Sequence, residues 1–270
     1  MLHPDSPIRI FYHKGHSHGG GTDHGHDHGH DHDHDHDHKH DREGARTREI
    51  KVVRNVLDAN NQMAAALRKK FADSGVFVIN VMSSPGSGKT TTLIRVLSSL
   101  MPQLRCGVIV GDICSTHDAD KLATSGAPVV QINTDAFGGD CHLAAHVIDT
   151  AVAGMDLGAL DLLVVENIGN LVCPAEFDIG EDLRIVMLSV TEGEDKPIKY
   201  PLMFRVCEAA IINKIDLLPY LDLDLATVSG AIHQIHPGIP LFPVSAKTGE
   251  GLGAFCDWLA AQVRSKMERK

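Results

Sequence analysis

Seven short apolar runs recur along the chain: Val76–Met82, Cys106–Gly111, Ala127–Ile132, Asp161–Glu166, Arg184–Val190, Ala209–Asn213 and Ile239–Val244. They have strand length and are apolar nearly throughout rather than at alternate positions, the pattern of strands covered on both faces. Between most of them lie segments of helix length, among them Thr90–Met101, His142–Met155, Leu223–Ile235 and Leu252–Lys266. This βαβ alternation predicts an α/β fold, a mostly parallel twisted sheet of about seven strands with helices on both faces. Upstream, Ile50, Val53, Leu57, Ala64 and Leu67 recur at spacings of three, four and seven, which predicts a lead-in helix from about 46 to 72. No internal repeat is visible in this part of the chain.

Before residue 46 the periodicity stops. Twelve histidines fall within the 28 residues from His13 to His40, and from His24 on (His26, His28, His30, His32, His34, His36, His38, His40) they alternate with Asp, Gly or Lys. A segment this polar cannot collapse on itself, so residues 1–45 read as a disordered tail and 46–270 as one folded domain. Imidazole is a ligand for nickel, zinc and copper, and the tract offers many exchangeable ones. The plainer readings are a solvated low-complexity tail or an expression tag; tags are usually unbroken His runs, and here no two His are adjacent.

The net charge of −10 divides evenly, with −5 in residues 13–41 and the remainder in the body. An acidic balance without basic runs argues against nucleic acid or an anionic membrane as partner. The apolar runs are too short to span a bilayer, and the first residues lack the basic and apolar regions of a signal peptide. These features predict a cytoplasmic protein, whose six cysteines would be thiols or metal ligands rather than a disulfide framework.

The first strand is followed by Ser83-Ser84-Pro85-Gly86-Ser87-Gly88-Lys89-Thr90-Thr91, a near match to a P-loop. Small residues let backbone N–H groups turn in on phosphates, Lys89 reaches the β and γ oxygens, and Thr90 offers a hydroxyl to Mg²⁺. The departure is Ser83 where the pattern asks for Gly. Asn213-Lys214-Ile215-Asp216 closes a later strand and resembles the guanine motif of GTPases. The Asp216 carboxylate can accept both the ring N–H and the exocyclic amine of guanine, a pair adenine lacks. Ser245-Ala246-Lys247 resembles the second base-contacting loop of that superfamily. Each motif falls at the carboxyl end of a strand, where open α/β sheets bind ligands. Gly111-Asp112 and Glu166-Asn167-Ile168-Gly169 end two further strands. Asp112 and Glu166 join Thr90 as candidate Mg²⁺ ligands, and Gly169 fits the γ-phosphate contact of the Asp-x-x-Gly slot. Glu166 replaces the usual Asp there, and Asn170 stands where a water-orienting Gln would, which predicts slow hydrolysis, about 10⁻⁴–10⁻² s⁻¹.

Two thiol-bearing loops lie on the same edge. Cys141-His142 opens a predicted helix whose positive end should depress the Cys141 pKa. Cys173 lies seven residues past Glu166. Two thiolates and an imidazole suit Zn²⁺ or Ni²⁺, with water or a second subunit as a fourth ligand; three unrelated Cys and His residues are the competing reading. Cys106, Cys207 and Cys256 sit in or beside apolar runs and read as buried thiols. Cys114 with His117, and His142 with His146, could each place two ligands on one helical face, but read more simply as surface polar residues.

Taken together, the segments Ser83–Thr90, Cys141-His142-Leu143, Glu166–Ala175, Glu192-Gly193-Glu194-Asp195-Lys196-Pro197 and Asn213–Asp216 resemble the HypB family of hydrogenase maturation GTPases, from about residue 46 onward. The resemblance implies a P-loop NTPase fold and a GTP-dependent homodimer with Mg²⁺. It implies delivery of Ni²⁺ to the large subunit precursor of [NiFe] hydrogenase alongside a HypA-type zinc accessory protein, with Cys141, His142 and Cys173 holding nickel or zinc near the dimer interface. Lys196 and Lys199 would face the nucleotide or the second subunit, or be solvated loop charges. Some relatives carry an N-terminal Cys-x-x-Cys nickel motif; here no Cys precedes Cys106, and the His tract stands in its place as a reservoir. Two alternatives remain. A urease accessory GTPase typically carries Cys-x-His, which this sequence lacks, and a nickel store with a vestigial nucleotide site would be expected to have lost some of Lys89, Thr90, Glu166 and Asp216.

Overall fold

A computed structural model describes residues 8–11, 42–112, 117–134 and 141–269, with backbone alone for 8–11 and 42–54. The elements run β1 (Ile8–Phe11), α1 (Arg42–Ser74), β2 (Phe77–Ser83), α2 (Lys89–Leu100), β3 (Cys106–Asp112), α3 (His117–Ala123), β4 (Val129–Asn133), α4 (Ala145–Val152), β5 (Leu162–Gly169), β6 (Leu183–Ser189), α5 (Lys196–Lys199), α6 (Pro201–Val206), β7 (Ala209–Asn213), α7 (Leu225–Ile235), β8 (Leu241–Pro243) and α8 (Leu252–Met267). The sheet has eight strands in the order β1-β4-β3-β5-β2-β6-β7-β8. β2 to β8 are all parallel, as the seven apolar runs require. β1 pairs antiparallel with β4, Ile8 opposite Ile132, so part of the stretch read as a disordered tail is an edge strand. The histidine tract itself lies outside the described residues.

Side chains alternate across the sheet because successive strand residues point to opposite faces. Ile79, Val81, Ile185, Met187 and Ile211 pack beneath Leu93, Leu97, Leu122, Phe255 and Leu259 of α2, α3 and α8. Val78, Val130, Ile132, Leu163 and Val165 meet Leu67 and Phe71 of α1 and Val147, Ile148 and Ala151 of α4. Farther along that face, Val186, Leu188 and Ile212 meet Phe204, Val228 and Ile232 of α6 and α7. Cys106, Cys207 and Cys256 are buried in these layers, as their apolar neighbours predict. The lead-in helix is longer than predicted at both ends and buries Ala64, Leu67 and Phe71.

The predicted helix from His142 to Met155 is shorter. Cys141 and His142 sit in a bend, and α4 begins only at Ala145. The positive helix end invoked for Cys141 is therefore four residues away from it.

One loop fixes α1 against the sheet. Gly180 has φ +82°, and a Cβ there would lie 2.9 Å from Ala64 O, Arg68 N and Leu67 Cβ. Arg68 pairs both guanidinium–carboxylate contacts at 2.7 Å with Asp178 in the same loop. Gly238 has a similar φ, +84°, in open space. Strain at φ > 0 is common to both sites, whereas overlap arises only at the first. Gly180→Ala should lower unfolding free energy by about 3 kcal/mol and Gly238→Ala by about 1 kcal/mol, measured by urea denaturation; equal losses would contradict the packing account.

Candidate functional site

The loop from Ser83 to Thr90 leaves β2 and turns into α2, with Gly88 left-handed (φ 94°) at the helix N-cap. Ser83, the departure from the P-loop pattern, is fully buried and accounts for itself: its hydroxyl accepts from Lys89 Nζ at 2.8 Å and Ser87 Oγ at 2.6 Å and donates to Ser84 O at 2.8 Å. The side chain thus holds Lys89 inside the loop. Burial lowers the pKa of Lys89, opposed by the charges of Glu166, Asp118, Glu192 and Asp112. Glu192, which the sequence marks only as part of the segment Glu192–Pro197, accepts from Ser84 Oγ and from Ser189 N, tying the phosphate loop to the end of β6.

A cavity of about 560 Å³ opens above this loop, lined by Pro85 to Thr91, Gly111, Asp112, Glu166 to Gly169 and Lys214, with Asp118 and Lys121 of α3. Asp118 and Lys121 belong to no sequence motif, and the short α3 that carries them shows no helical period. Thr90 Oγ1 donates to Glu166 Oε1 at 2.8 Å, while Glu166 Oε2 is buried without a hydrogen-bond donor. An orphaned carboxylate oxygen beside a threonine hydroxyl, with Asp112 on the neighbouring strand end, is a hard oxygen set that fits Mg²⁺. Burial pushes the Glu166 carboxyl up to about 7, against the pull of Lys89 and of the Thr90 hydrogen bond.

A second cavity of about 600 Å³ adjoins the first, lined by Thr91, Arg95, Asn213, Lys214, Asp216, Ala246 and Lys247 among others. Asn213 Nδ2 donates to Ser87 O at 2.8 Å and its Oδ1 accepts from Ala246 N at 3.1 Å. Ser245 Oγ donates to Asp216 Oδ1 at 2.6 Å, orienting the carboxylate that would read a base. Lys214 takes φ 64° and reaches back to Gly86 O at 2.7 Å. The three motifs therefore lock one another together.

Cys141, His142 and Cys173 converge, their ligand atoms all within 4.8 Å of one another. Cys141 Sγ lies 2.8 Å from Cys173 Sγ, and the His142 ring stacks on Phe177 with centroids 3.7 Å apart. Burial, then the neighbouring Cys141, pushes the Cys173 thiol up to about 11, so a divalent cation would bind there by displacing a proton. His146 is exposed on α4 and outside this cluster, though with His142 it borders an apolar cavity of about 390 Å³ beside Met63 of α1. His117 begins α3, and Cys114 lies outside the described residues. Lys199 pairs with Asp195 at 2.5 Å and Lys196 with Glu192 at 3.9 Å, neither lining the nucleotide cavities.

The two sites meet through β5. Gly169 abuts the phosphate loop so closely that a Cβ would lie 3.1 Å from the backbone N and Cα of Pro85. Asn170 Oδ1 accepts from Val172 N at 2.7 Å, folding that loop towards Cys173.

Such a sheet with this loop and two strand-end carboxylates defines a P-loop nucleotide-binding protein. Residues 77–243 match the CobW/HypB/UreG nucleotide-binding domain. Hydrogenase maturation factor HypB of Azotobacter vinelandii is 42% identical over 226 residues, 84% of this chain and 74% of the relative. The hydrogenase/urease maturation factor HypB of Helicobacter hepaticus is 41% identical over 216 residues, 78% of this chain and 87% of that one. The crystal structure of HypB from Helicobacter pylori in complex with nickel matches with TM-score 0.72 and 36% identity, over 77% of this chain and 96% of that one. The chain belongs to the HypB family of hydrogenase maturation factors. No described helix is long and apolar enough to cross a membrane.

The Glu166 shift has a stability consequence. Its pKa rises from 4.5 to about 7 on folding, so the native state holds a proton that the unfolded chain releases between those values. Below 4.5 both states are protonated and nothing is lost; stability falls as pH rises through the window and stays reduced above 7. The loss is of order 3 kcal/mol. Glu166→Gln, which keeps the Thr90 contact, should abolish that pH-dependent loss and unfold at a higher temperature than wild type at pH about 8 but not at pH about 4; parallel melting curves across pH would contradict the assignment.

Proposed function

We propose that this chain is a GTP-hydrolysing nickel metallochaperone that delivers Ni²⁺ to the large subunit precursor of [NiFe] hydrogenase. The observation carrying this reading is the continuity of β5. One strand end supplies Glu166 and Gly169 to the nucleotide cavity and runs on, within seven residues of Glu166, to Cys173 of the thiol–imidazole cluster. GTP is favoured by the Asp216 carboxylate that Ser245 holds in the second cavity. Thr90, Asp112 and Glu166 would hold Mg²⁺, which neutralises charge on the β and γ phosphates. Lys89 would leave Ser83 for those oxygens, and the Gly169 N–H would meet the γ-phosphate. Asn170 is engaged with Val172 N and so is not poised to orient an attacking water, which supports slow turnover.

The cargo is Ni²⁺, held by Cys141, His142 and Cys173; Zn²⁺ would suit the same donors. Because the γ-phosphate contact and a metal ligand share one loop, GTP and nickel bias a single conformational or dimeric equilibrium, each changing the affinity of the other equally. A homodimer, a HypA-type accessory protein and the hydrogenase precursor are the partners this reading requires, in the cytoplasm. The His tract, above all its alternating stretch from His24 to His40, serves as a local reservoir. The name of the Helicobacter hepaticus relative favours a second reading, supply of nickel to urease as well.

Nickel titration followed by thiolate-to-nickel charge-transfer absorption tests the assignment. Cys141→Ala and Cys173→Ala should each abolish the band while leaving tail binding; its persistence in both variants would refute the site. Wild-type GTP turnover should fall near 10⁻⁴–10⁻² s⁻¹, and Asp216→Ala should cut the preference for GTP over ATP at least about tenfold. Turnover above about 1 s⁻¹ without a partner would be inconsistent with a switch.

A further inference from the structure

We infer that Asn167 is the positioning residue that couples the nucleotide site to the metal loop. This rests on the nucleotide–metal linkage proposed above. β5 pairs with β2 through Val81 opposite Glu166 and then Ser83 opposite Gly169, so β5 carries one residue more than its partner between those pairs. Such a bulge re-aims side chains and leaves backbone groups to be satisfied in another way. Here Asn167 Oδ1 accepts from Ile168 N at 2.9 Å within the bulge and from Leu143 N at 3.2 Å in the metal loop. Its Nδ2 donates to Asn80 Oδ1 at 3.1 Å, anchoring the amide to β2. The side chain is buried, and Asn167 borders the nucleotide cavity beside Glu166.

Leu143 directly follows His142 and is held at a second point. Its side chain fills the space over Gly111, where a Cβ would lie 2.8–2.9 Å from Leu143 carbons. Gly111 precedes Asp112 as Asn167 follows Glu166. The metal loop is thus seated on the two strands that carry Asp112 and Glu166, the carboxylates that would hold Mg²⁺. A shift of the bulge alters the acceptor shared by Ile168 and Leu143 and so the position of His142. Two packed states of one buried hydrogen-bond cluster are the physical form such coupling takes.

A neighbouring contact separates coupling from mere support. Asn60 of α1 accepts from Ala145 N at 2.9 Å and donates to Asp178 O at 2.8 Å. Its two hydrogen bonds hold the same loop without reaching a residue that lines the nucleotide cavity.

The test measures Ni²⁺ affinity of the full chain by thiolate-to-nickel absorption, with GDP and with a non-hydrolysable GTP analogue. Wild type should show a ratio of about fivefold or more between the two states. With both nucleotides at saturation, Asn167→Ala should bring the ratio to within about twofold of unity. Asn60→Ala should weaken nickel equally in both states. An unchanged ratio in Asn167→Ala, or its loss in Asn60→Ala as well, would overturn the inference. A wild-type ratio of one would overturn the linkage itself. Should Asn167→Ala not fold, hydrogen exchange at the wild-type Leu143 amide decides: protection should change about tenfold between the two nucleotides, and equal protection overturns the coupling.

Discussion

The end of β5 is clamped to the phosphate loop, and the rest of the molecule is arranged around that clamp. Glu166 accepts from Thr90 at 2.8 Å, and three residues later Gly169 lies so near Pro85 that only a residue without a Cβ fits easily. These contacts determine how close a carboxylate, a hydroxyl and a backbone N–H can stand to a bound phosphate. They also leave no slack between the phosphate loop and the chain that leads to Cys173. A rearrangement at the γ-phosphate would have to be absorbed by the few residues between Gly169 and Cys173, since the parallel strands on either side of β5 are buried and close-packed.

The clamp is costly in electrostatic terms. Glu166 and Lys89 are both buried, and burial moves each towards its neutral form. A fold selected for stability alone would not place a carboxylate oxygen without a donor at the end of a central strand. Binding sites tolerate this because a cation and a phosphate supply the missing partners, so the ligands stabilise the folded state as they bind. Ser83 softens the cost on the other side by accepting from Lys89. What looked in the sequence like a flaw in the P-loop pattern is, in the folded chain, a hydrogen-bond acceptor for a buried ammonium group.

Much of this was legible in the sequence because it is written in local patterns. Apolar runs bounded by small and polar residues specify parallel strands, and motifs at strand ends fall together once the strands are parallel neighbours. What escaped was non-local. Ile8–Phe11 is too short to register as a strand, and it becomes the edge of the sheet by pairing with β4, far along the chain. The apolar and polar residues from His142 onward fit a helix as well as those from Ala145, so the pattern alone places the start of α4 too early. In the fold, Leu143 N and Ala145 N are taken by Asn167 and Asn60, side chains distant in sequence. No cap signal stands at Ala144, since the capping acceptor comes from α1. Asp118 and Lys121 carry no sequence signal for a related reason: α3 has only seven residues, too few for a period to show.

The displaced helix start alters what the thiol–imidazole cluster can be. Had Cys141 and His142 lain in the first turn of α4, their backbone would have been fixed by helical hydrogen bonds, and the cluster would have been a rigid receptacle. Instead they precede the helix in a bend whose anchors are the Leu143 side chain over Gly111, two amide side chains and the stacking of His142 on Phe177. A receptacle that must release its metal needs ligands that can separate. Anchors made of individual hydrogen bonds and one ring contact can shift between arrangements at lower cost than a helical turn can be unwound. The same bend is tied through Leu143 to the strand ends bordering the nucleotide cavity and through Ala145 to the lead-in helix.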